Sequence, residues 1–222
     1  MKLKTIIDKY MAKVPQVRKY CKDCLNVKRY NGNVVLMVVD ASFVSLGINY
    51  FKVVIPKVLE FKQRFVDNGK IVNLKDLSEY NVDELTTIWK NKRSWNVAKE
   101  ISSYLSNLDE DDKRALIRWA KNSKLENWKK DPIGRIRGVG INTYQYLRMM
   151  GGIDTVMPDK IVRRVFKGIF DECGLSVPKD DLEFVKEIEK IAKLTGYKPI
   201  ELCWMTWFVY NLDSVKSYEL IA

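Results

Sequence analysis

Two glycines and one aspartate are the residues of this chain whose types and spacing suggest chemistry. Gly138-Val139-Gly140 stands between two helical patterns, and Asp159 comes nineteen positions after Gly140, directly behind Pro158. Two glycines around one apolar residue permit a tight hairpin whose backbone amides stay uncovered by side chains. The helix that starts near Ile141 would then bind phosphate through N–H groups and the helix dipole, without reading base sequence.

Asp159 is expected at the start of a new helix, where the helix N-terminus favours an ionised carboxylate. Each feature alone also fits ordinary structure, because a G-x-G turn is common at a helix–helix corner and an aspartate is common at a helix start. The two features in this order, with Arg135, Arg137 and Arg148 nearby, indicate a phosphate-binding hairpin followed by a functional carboxylate.

The chain has no histidine, which excludes several kinds of catalytic site. There can be no Ser-His-Asp or Cys-His nucleophile system and no histidine-ligated zinc. Acid–base chemistry near neutral pH must therefore come from Asp, Glu, Lys, Tyr or Cys. The cysteines are Cys21, Cys24, Cys173 and Cys203. They contain a single C-x-x-C, so we expect reduced thiols and no metal site.

The charge balance points to a polyanionic partner. The 222 residues carry 39 Lys+Arg against 28 Asp+Glu, a formal net charge of +11. Such an excess on one domain favours nucleic acid as the partner, although many lysines also serve only to hydrate a surface. The N-terminal residues are too polar for a signal peptide, and the apolar run Val34–Val39 is far too short for a membrane span. We therefore expect a soluble, cytoplasmic protein with no membrane partner.

Helical periodicity dominates the rest of the chain and must position these residues. Apolar residues recur at helical spacing in six stretches: Leu85 to Trp89, Val97 to Leu108, Leu116 to Trp119, Ile161 to Ile169, Leu182 to Ala192 and Leu202 to Tyr210. Asn81 with Glu84 predicts a helix that opens at Leu85, Pro158 predicts a first helical turn, and Gly196 predicts a C-terminal cap.

The β-branched run Val34–Val39 fits either a strand or a buried helix, and its helical surroundings favour a helix. The sequence thus predicts an all-α protein of roughly ten short helices.

The hairpin, the loop after it and the aspartate together resemble one known family. The hairpin reads Ile136-Arg137-Gly138-Val139-Gly140-Ile141-Asn142-Thr143-Tyr144, the loop reads Gly151-Gly152-Ile153-Asp154-Thr155-Val156-Met157-Pro158, and Asp159-Lys160-Ile161-Val162-Arg163-Arg164 follows. These segments are similar to the hairpin L-P-G-V-G-x-K-T-A, the Gly/Pro-rich loop and the V-D-x-x-V-x-R of the helix-hairpin-helix Gly/Pro-Asp DNA glycosylase superfamily, which includes endonuclease III. Weaker likeness extends upstream to about residue 34 and includes the segment from Asn91 to Lys99.

The resemblance implies a glycosylase architecture of one unit over residues 1–222, with a cleft between two helical subdomains. Residues 34–130 would form a helical-barrel subdomain, and residues 131–172 would carry the hairpin and the catalytic aspartate. The helices of residues 1–33 and 173–222 would pack together as the second subdomain.

The resemblance also assigns roles to individual residues. Asp159 would be the catalytic carboxylate. The DNA-binding residues would be Arg137, Gly138, Val139, Gly140, Asn142, Thr143 and Lys160. Asp40, Ala41, Ser42 and Tyr144 would serve the base pocket or probe the DNA stack, within a stretch from Val34 to Pro56.

Three departures from the family pattern refine the expected activity. Asn142 occupies the position of the lysine that acts as a Schiff-base nucleophile in bifunctional members, and an amide cannot take that role. The C-terminal part has only Cys203, so no iron–sulfur cluster or other resident cofactor is expected, although a monovalent cation could join the hairpin when DNA binds. Asp40-Ala41-Ser42 stands where several members carry a glutamine, which leaves the substrate base open.

The expected function is therefore a monofunctional base-excision glycosylase that acts as a monomer on double-stranded DNA with a damaged or mismatched base. Lys160 is an alternative amine nucleophile, although a lysine there more often contacts phosphate. A lesion-sensing protein of the same fold without catalysis remains open, as does a binder of RNA or acidic protein on an unrelated helical fold.

Overall fold

The computed structural model describes residues 2–44 and 49–212, and this part of the chain is all-α with no strand. Twelve α-helices run through it: α1 Lys2–Ala12, α2 Val17–Leu25, α3 Val34–Val44, α4 Ile55–Phe61, α5 Leu74–Glu79, α6 Val82–Leu85, α7 Lys92–Ser106, α8 Asp112–Asn122, α9 Ile141–Met150, α10 Lys160–Cys173, α11 Asp181–Thr195 and α12 Pro199–Tyr210. Short 3-10 helices occupy Arg29–Gly32 and Leu125–Lys130, and π-helical turns occupy Tyr50–Val54 and Lys62–Val66. The all-α prediction is confirmed, with slightly more helices than expected.

Two helices that are buried on nearly every side form the centre of the molecule. Each residue of α3 from Val34 to Phe43 is buried, and each residue of α9 from Thr143 to Met150 is buried. The two helices pack against each other, and α7 also packs against α3. A helix that is apolar all round must be enclosed by others. The run Val34–Val39 is therefore a helix, as predicted, and the core fixes α9 behind the hairpin.

The first and last helices of the described residues pack together. Helix α1 contacts α10, α11 and α12, and α2 contacts α9 and α12. Helix α12 is also a core helix, because Leu202 to Phe208 are all buried. The division into subdomains with a cleft stays a prediction. In the described residues, no helix is long and apolar enough to cross a lipid bilayer.

Two helix boundaries differ from the sequence prediction. Asn81 does cap a helix, with its Oδ1 accepting from the Asp83 amide (2.8 Å), but this helix is the single turn α6, which ends at Leu85 instead of opening there. Pro158 lies outside α10, because Asp159 is the residue that caps it. Gly196 ends α11 with φ +78°, as predicted.

Candidate active site and nucleic-acid interface

The segment before the hairpin is a set of turns instead of the helical pattern expected there. Its backbone forms one helical bond, from the Arg135 amide to the Asp131 carbonyl (3.0 Å). The Asp131 carboxylate accepts from the Ile133 amide (2.9 Å) and from the Trp119 indole (3.1 Å). A side chain that bonds the backbone two residues ahead competes with helical pairing. Asp131 therefore ties the start of the hairpin to α8 and ends the helical geometry early.

Gly138 meets two demands that only glycine satisfies. Its φ is +113°, in the region that L side chains rarely adopt. A Cβ on Gly138 would also lie 2.8 Å from Cγ2 of Val97 and 3.0 Å from Nε of Arg93. The missing side chain thus lets the first turns of α7 pack directly against the hairpin.

Gly140 is open to solvent and has a different role. It precedes α9 with an extended backbone (φ −103°), and a Cβ there would meet no atom within 4 Å. No side chain caps α9. The first amides of a helix have no partner within the helix, and they favour an anion together with the helix dipole. The start of α9 is therefore uncapped and accessible, and its use as a phosphate site stays a prediction.

Arg93 is a cation at the hairpin to which the sequence motif gave no role. It is exposed, and its Nε lies beside Gly138 on the face where a side chain would point. Among the described residues no carboxylate lies within ion-pair distance of its guanidinium, whereas the neighbouring Lys92 pairs with Asp83 (2.6 Å). Arg137 is exposed on the turn itself. The clue in the sequence is that Arg93 and Val97 are four residues apart, which puts both on one face of α7.

The remaining predicted DNA-binding residues differ in access. Val139 and Asn142 are half-buried, and Lys160 is exposed. Thr143 is only 1% exposed, so its side chain is not available for a DNA contact in this structure. Asn142 Oδ1 is buried and has no hydrogen-bond partner in the described part of the chain. Asn142 thus presents an amide, with no amine nearby in the hairpin helix.

Asp159 is held by the helix that it caps. Its Oδ1 accepts from the amides of Ile161 (2.8 Å) and Val162 (2.9 Å). Burial raises the pKa of Asp159 above the ordinary aspartate value, and the two amides and Lys160 act in the opposite direction. The carboxylate is therefore fixed in orientation and poorly hydrated. Such a group interacts strongly with a positive charge that develops close to it.

The loop that carries Asp159 is attached to α9 by a buried glutamine. Gln145 Nε2 donates to Thr155 Oγ1 (2.8 Å) and to the Val156 carbonyl (2.8 Å). Arg148 Nη1 donates to Gln145 Oε1 (2.6 Å), and Arg148 Nε donates to Ser123 Oγ (2.9 Å). Arg148 is therefore a buried structural residue. The expectation that it adds charge near the hairpin is wrong, because its guanidinium is turned into the protein.

The same loop is attached to α12 on its other side. Asp154 Oδ1 accepts from the Ile200 amide (2.9 Å), and the Met157 amide donates to Cys203 Sγ (3.4 Å). These contacts lie within five residues of Asp159 along the chain. A catalytic group is effective when its supports hold it in one position. The loop thus places the carboxylate rigidly relative to α9 and the hairpin.

Asp40, Ala41 and Ser42 lie inside α3 and are completely buried. The expectation that they probe the DNA stack is wrong, because none of the three has any exposed surface. Residues 45–48, which belong to the same predicted stretch from Val34 to Pro56, lie outside the described residues.

Asp40 is the centre of a buried hydrogen-bond cluster. Its Oδ2 accepts from the hydroxyls of Tyr30 (2.9 Å), Tyr50 (3.0 Å) and Tyr146 (2.7 Å). Arg29 Nη2 lies 4.0 Å from the same oxygen. Burial raises the pKa of Asp40, and Arg29 and the hydroxyls counteract this shift. The cluster connects α3 to α9 through Tyr146.

Tyr144 is also a core residue. Its ring packs edge-on against Trp119 (centroids 5.5 Å apart) and lies 6.2 Å from the ring of Trp128. Burial raises the pKa of its hydroxyl well above the ordinary tyrosine value. Because Tyr144 has no exposed surface, its assignment to a base pocket is wrong for this arrangement of the site.

The cysteines do not form a metal site in the part of the chain that the structure describes. Cys21, Cys24 and Cys203 are buried, Cys173 is half-buried, and all four are free thiols. Burial raises the pKa of Cys24 to about 12, which keeps it protonated. Within residues 2–44 and 49–212, no group of three or more His, Cys, Asp or Glu side chains could hold a metal ion.

Comparison with solved structures places this architecture among DNA glycosylases. The chain matches the crystal structure of the 8-oxoguanine DNA glycosylase of Thermotoga maritima with a TM-score of 0.60, over 94% of this chain and 97% of that chain, at 16% sequence identity. No protein-family model and no curated protein matches the sequence. The chain therefore has the helix-hairpin-helix DNA glycosylase fold, and the prediction of this fold is confirmed.

Proposed function

We propose that this protein is a DNA glycosylase of base-excision repair that hydrolyses the N-glycosidic bond of a damaged or mismatched base. The observation that carries the proposal is the pair of successive helix starts in this fold. Gly140 leaves the amides of α9 free for an outside anion, and Asp159 sets a poorly hydrated carboxylate at the start of α10. The net charge of +11 suits a DNA partner.

DNA binding would begin at the hairpin. The amides of Ile141, Asn142 and Thr143 bind a backbone phosphate, and Arg93 and Arg137 provide positive charge on either side of Gly138. These contacts read the backbone and carry no base sequence. The target nucleotide must leave the stack, because its glycosidic bond is inaccessible inside the duplex.

Asp159 would then act on the sugar of the flipped nucleotide. The bond between C1′ and the base nitrogen breaks, its electron pair leaves with the base, and positive charge develops at C1′ and the ring oxygen. The Asp159 carboxylate stabilises that cation and takes the proton of the water that attacks C1′. The products are the free base, which acquires a proton, and an abasic deoxyribose in an uncut strand.

The monofunctional mode rests on Asn142. An amide nitrogen is not nucleophilic, because its lone pair is delocalised, so water is the nucleophile in this proposal. Lys160 is the amine next to Asp159 in sequence, and its exposed position suits a phosphate contact.

The test is a panel of end-labelled duplexes, each with one defined lesion: 8-oxoguanine, an alkylated purine, uracil or a thymine mismatch. Strand cleavage that appears only after hot alkali, for at least one lesion, is the expected result. If the protein binds the duplexes but none becomes alkali-labile, it is a lesion sensor and not an enzyme.

Borohydride added during the reaction tests the monofunctional mode on the lesion found. We expect no trapped covalent adduct. A strong adduct contradicts hydrolysis by water, and its loss in Lys160→Ala would identify Lys160 as the nucleophile.

A further inference from the structure

A groove of about 330 Å³ lies directly beside the hairpin helix. Its lining residues come from the 3-10 helix Leu125–Lys130, from Asp180 and the first turn of α11, and from Ile141 at the start of α9. Ile141 is also the first residue after Gly140, where the hairpin would hold a phosphate. The groove therefore adjoins the proposed DNA-binding surface.

The floor of the groove is apolar and includes a large aromatic ring. Trp128, Ile141 and Leu182 line it, and all three are half-buried. The Trp128 ring is supported from inside the protein by Tyr144, with ring centroids 6.2 Å apart. A supported indole beside an open groove is a suitable surface for stacking a flat ring.

The charge at the rim is positive on the side of the 3-10 helix. Lys129 and Lys130 are exposed, and in the described chain neither lies within ion-pair distance of a carboxylate. Lys129 Nζ lies over the Trp128 ring, 5.7 Å from its centre. Lys129 is an exposed, flexible side chain, so a base that stacks on Trp128 would displace its ammonium group toward the phosphate of the same nucleotide.

Two of the acidic residues that line the groove have partners within the protein. Asp180 caps α11 and accepts from the amides of Leu182 (2.9 Å) and Glu183 (3.0 Å). Asp181 pairs with Arg163 Nη2 (2.7 Å). Glu126 is the remaining carboxylate of the rim, against the two lysines. A phosphate would therefore sit on the lysine side.

We propose that this groove binds one unpaired nucleotide of the DNA strand whose phosphate the hairpin holds. The base stacks on Trp128, and its phosphate lies beside Lys129 and Lys130. The occupant must be unpaired, since the ring faces of a base in an intact duplex are covered by its neighbours in the stack. Stacking of this kind tolerates any base. The proposal rests on the proposed function for the placement of the strand at Gly140.

The experiment compares the affinity for a blunt duplex with that for the same duplex carrying a short single-stranded tail, with 3′ and 5′ tails measured separately. We expect one tail to tighten binding of the wild type about fivefold or more, the effect of stacking one base. Trp128→Ala should abolish this gain and keep the affinity for the blunt duplex. Trp128→Phe should keep most of the gain, and Lys129→Ala with Lys130→Ala should reduce it.

The matched control removes two cations outside the groove, Lys121→Ala with Lys124→Ala, which should weaken binding to blunt and tailed duplexes equally. The proposal is overturned if neither tail tightens binding of the wild type, or if the lysine pair in the groove behaves like the control pair. It is also overturned if the tail increases the affinity of a folded Trp128→Ala variant as much as it increases that of wild type and Trp128→Phe.

The two proposals fail separately. Absence of excision for every lesion, with a tail-dependent gain that needs Trp128, rejects the glycosylase and keeps the groove. If the blunt duplex is not bound at all, a single-stranded oligonucleotide replaces it, and its affinity must still fall in Trp128→Ala.

Discussion

Two helices follow each other in this chain, and the free amides at their N-termini differ in whether a side chain caps them. Helix α9 begins after Gly140, which has no side chain, and nothing caps it. Helix α10 begins after Asp159, whose carboxylate accepts from two of the amides. Both ends attract negative charge, because the amides and the helix dipole are the same in each. One is left open for an anion from outside, and the other is occupied by an anion of the protein itself.

The surroundings of the two helix N-termini also differ, because one is exposed and the other is held by contacts with neighbouring helices. Gly140 is exposed, and a side chain there would point into open space. The loop before Asp159 is held to α9 by Gln145 and to α12 by Cys203 and Ile200. Binding of a flexible, hydrated backbone needs access, whereas stabilisation of a cation needs a fixed and poorly hydrated charge. Substitutions at the two sites should therefore separate binding from chemistry.

The largest effect is expected for Asp159→Asn. Asparagine also caps helices, so the fold is kept. The charge that stabilises the cation is lost, and single-turnover excision should fall by at least about a hundredfold. DNA affinity should stay equal or rise, since a negative charge near the phosphates is removed.

Asp111→Asn is the control, because Asp111 also caps a helix, α8, where its Oδ1 accepts from the Arg114 amide at 2.7 Å. It should excise at the wild-type rate. A folded Asp159→Asn protein with undiminished excision would show that the carboxylate is not catalytic.

The two hairpin glycines should fail in different ways. Gly140→Leu has room for its side chain, so the protein folds, but the side chain covers the amides and DNA affinity should fall about tenfold for all sequences. Gly138→Ala forces φ +113° on alanine and presses on Val97 and Arg93, so it should cost about 1–3 kcal/mol of stability.

Thermal melts and binding titrations on both hairpin variants separate these outcomes. Gly168→Ala, inside α10, serves as control because its Cβ would make only an ordinary contact with the Tyr10 hydroxyl at 4.0 Å, and it should leave DNA affinity unchanged. A folded Gly140→Leu with wild-type affinity would remove the hairpin from the DNA interface.

The sequence predicted the residues that belong to short local motifs. It did not predict the residues whose roles depend on contacts with distant parts of the chain. Gly138, Gly140 and Asp159 were predicted because a G-x-G turn and a helix-capping aspartate are properties of a few consecutive residues. The buried helix at Val34 was predicted from its helical surroundings. The fold followed from the resemblance that these motifs carry.

Side-chain direction could not be predicted in the same way. Arg148 and Asp40 are charged residues on helices, and charged side chains are usually exposed. Their burial depends on partners far away in sequence, Ser123 for Arg148 and Tyr146 for Asp40. Arg93 became a candidate only once α7 was seen to touch Gly138. The hairpin and the aspartate could thus be predicted from the sequence, whereas the buried contacts that hold them in place could not.

A smaller effect is expected for Arg93, which would extend the open helix start by one phosphate contact. Arg93→Ala should weaken DNA binding a few-fold and reduce the slope of log affinity against log salt by about 0.9, the value for one phosphate. Lys92→Ala removes the same charge one residue away, but Lys92 already pairs with Asp83, so its slope should change less. Equal slopes for the two variants would mean that Arg93 contributes only general charge.

The smallest effect concerns the stability cost of keeping the Asp159 charge buried. Burial raises the pKa of Asp159 in the folded protein, so the native state holds its proton more tightly than the unfolded chain does. Wild-type stability therefore falls as pH rises from the ordinary aspartate pKa to the raised value, and the deficit then stays constant. Asp159→Asn has no such titration, so at pH 7 it should be more stable and melt at a higher temperature than wild type. The difference in stability between the two proteins should disappear as the pH falls below the ordinary aspartate pKa, where Asp159 is protonated in both the folded and the unfolded state. Other buried carboxylates, such as Asp40, titrate alike in both proteins and cancel in the difference.

Thermal melts of wild type and Asp159→Asn measure this difference in stability, with Asp111→Asn as the control. A range from about pH 3 to about pH 8 covers the titration of a buried carboxylate. If the stability advantage of Asp159→Asn instead grew toward acid pH, the amides of α10 would stabilise the Asp159 charge more than burial opposes it. The start of α10 would then favour an anion, as the start of α9 is proposed to do.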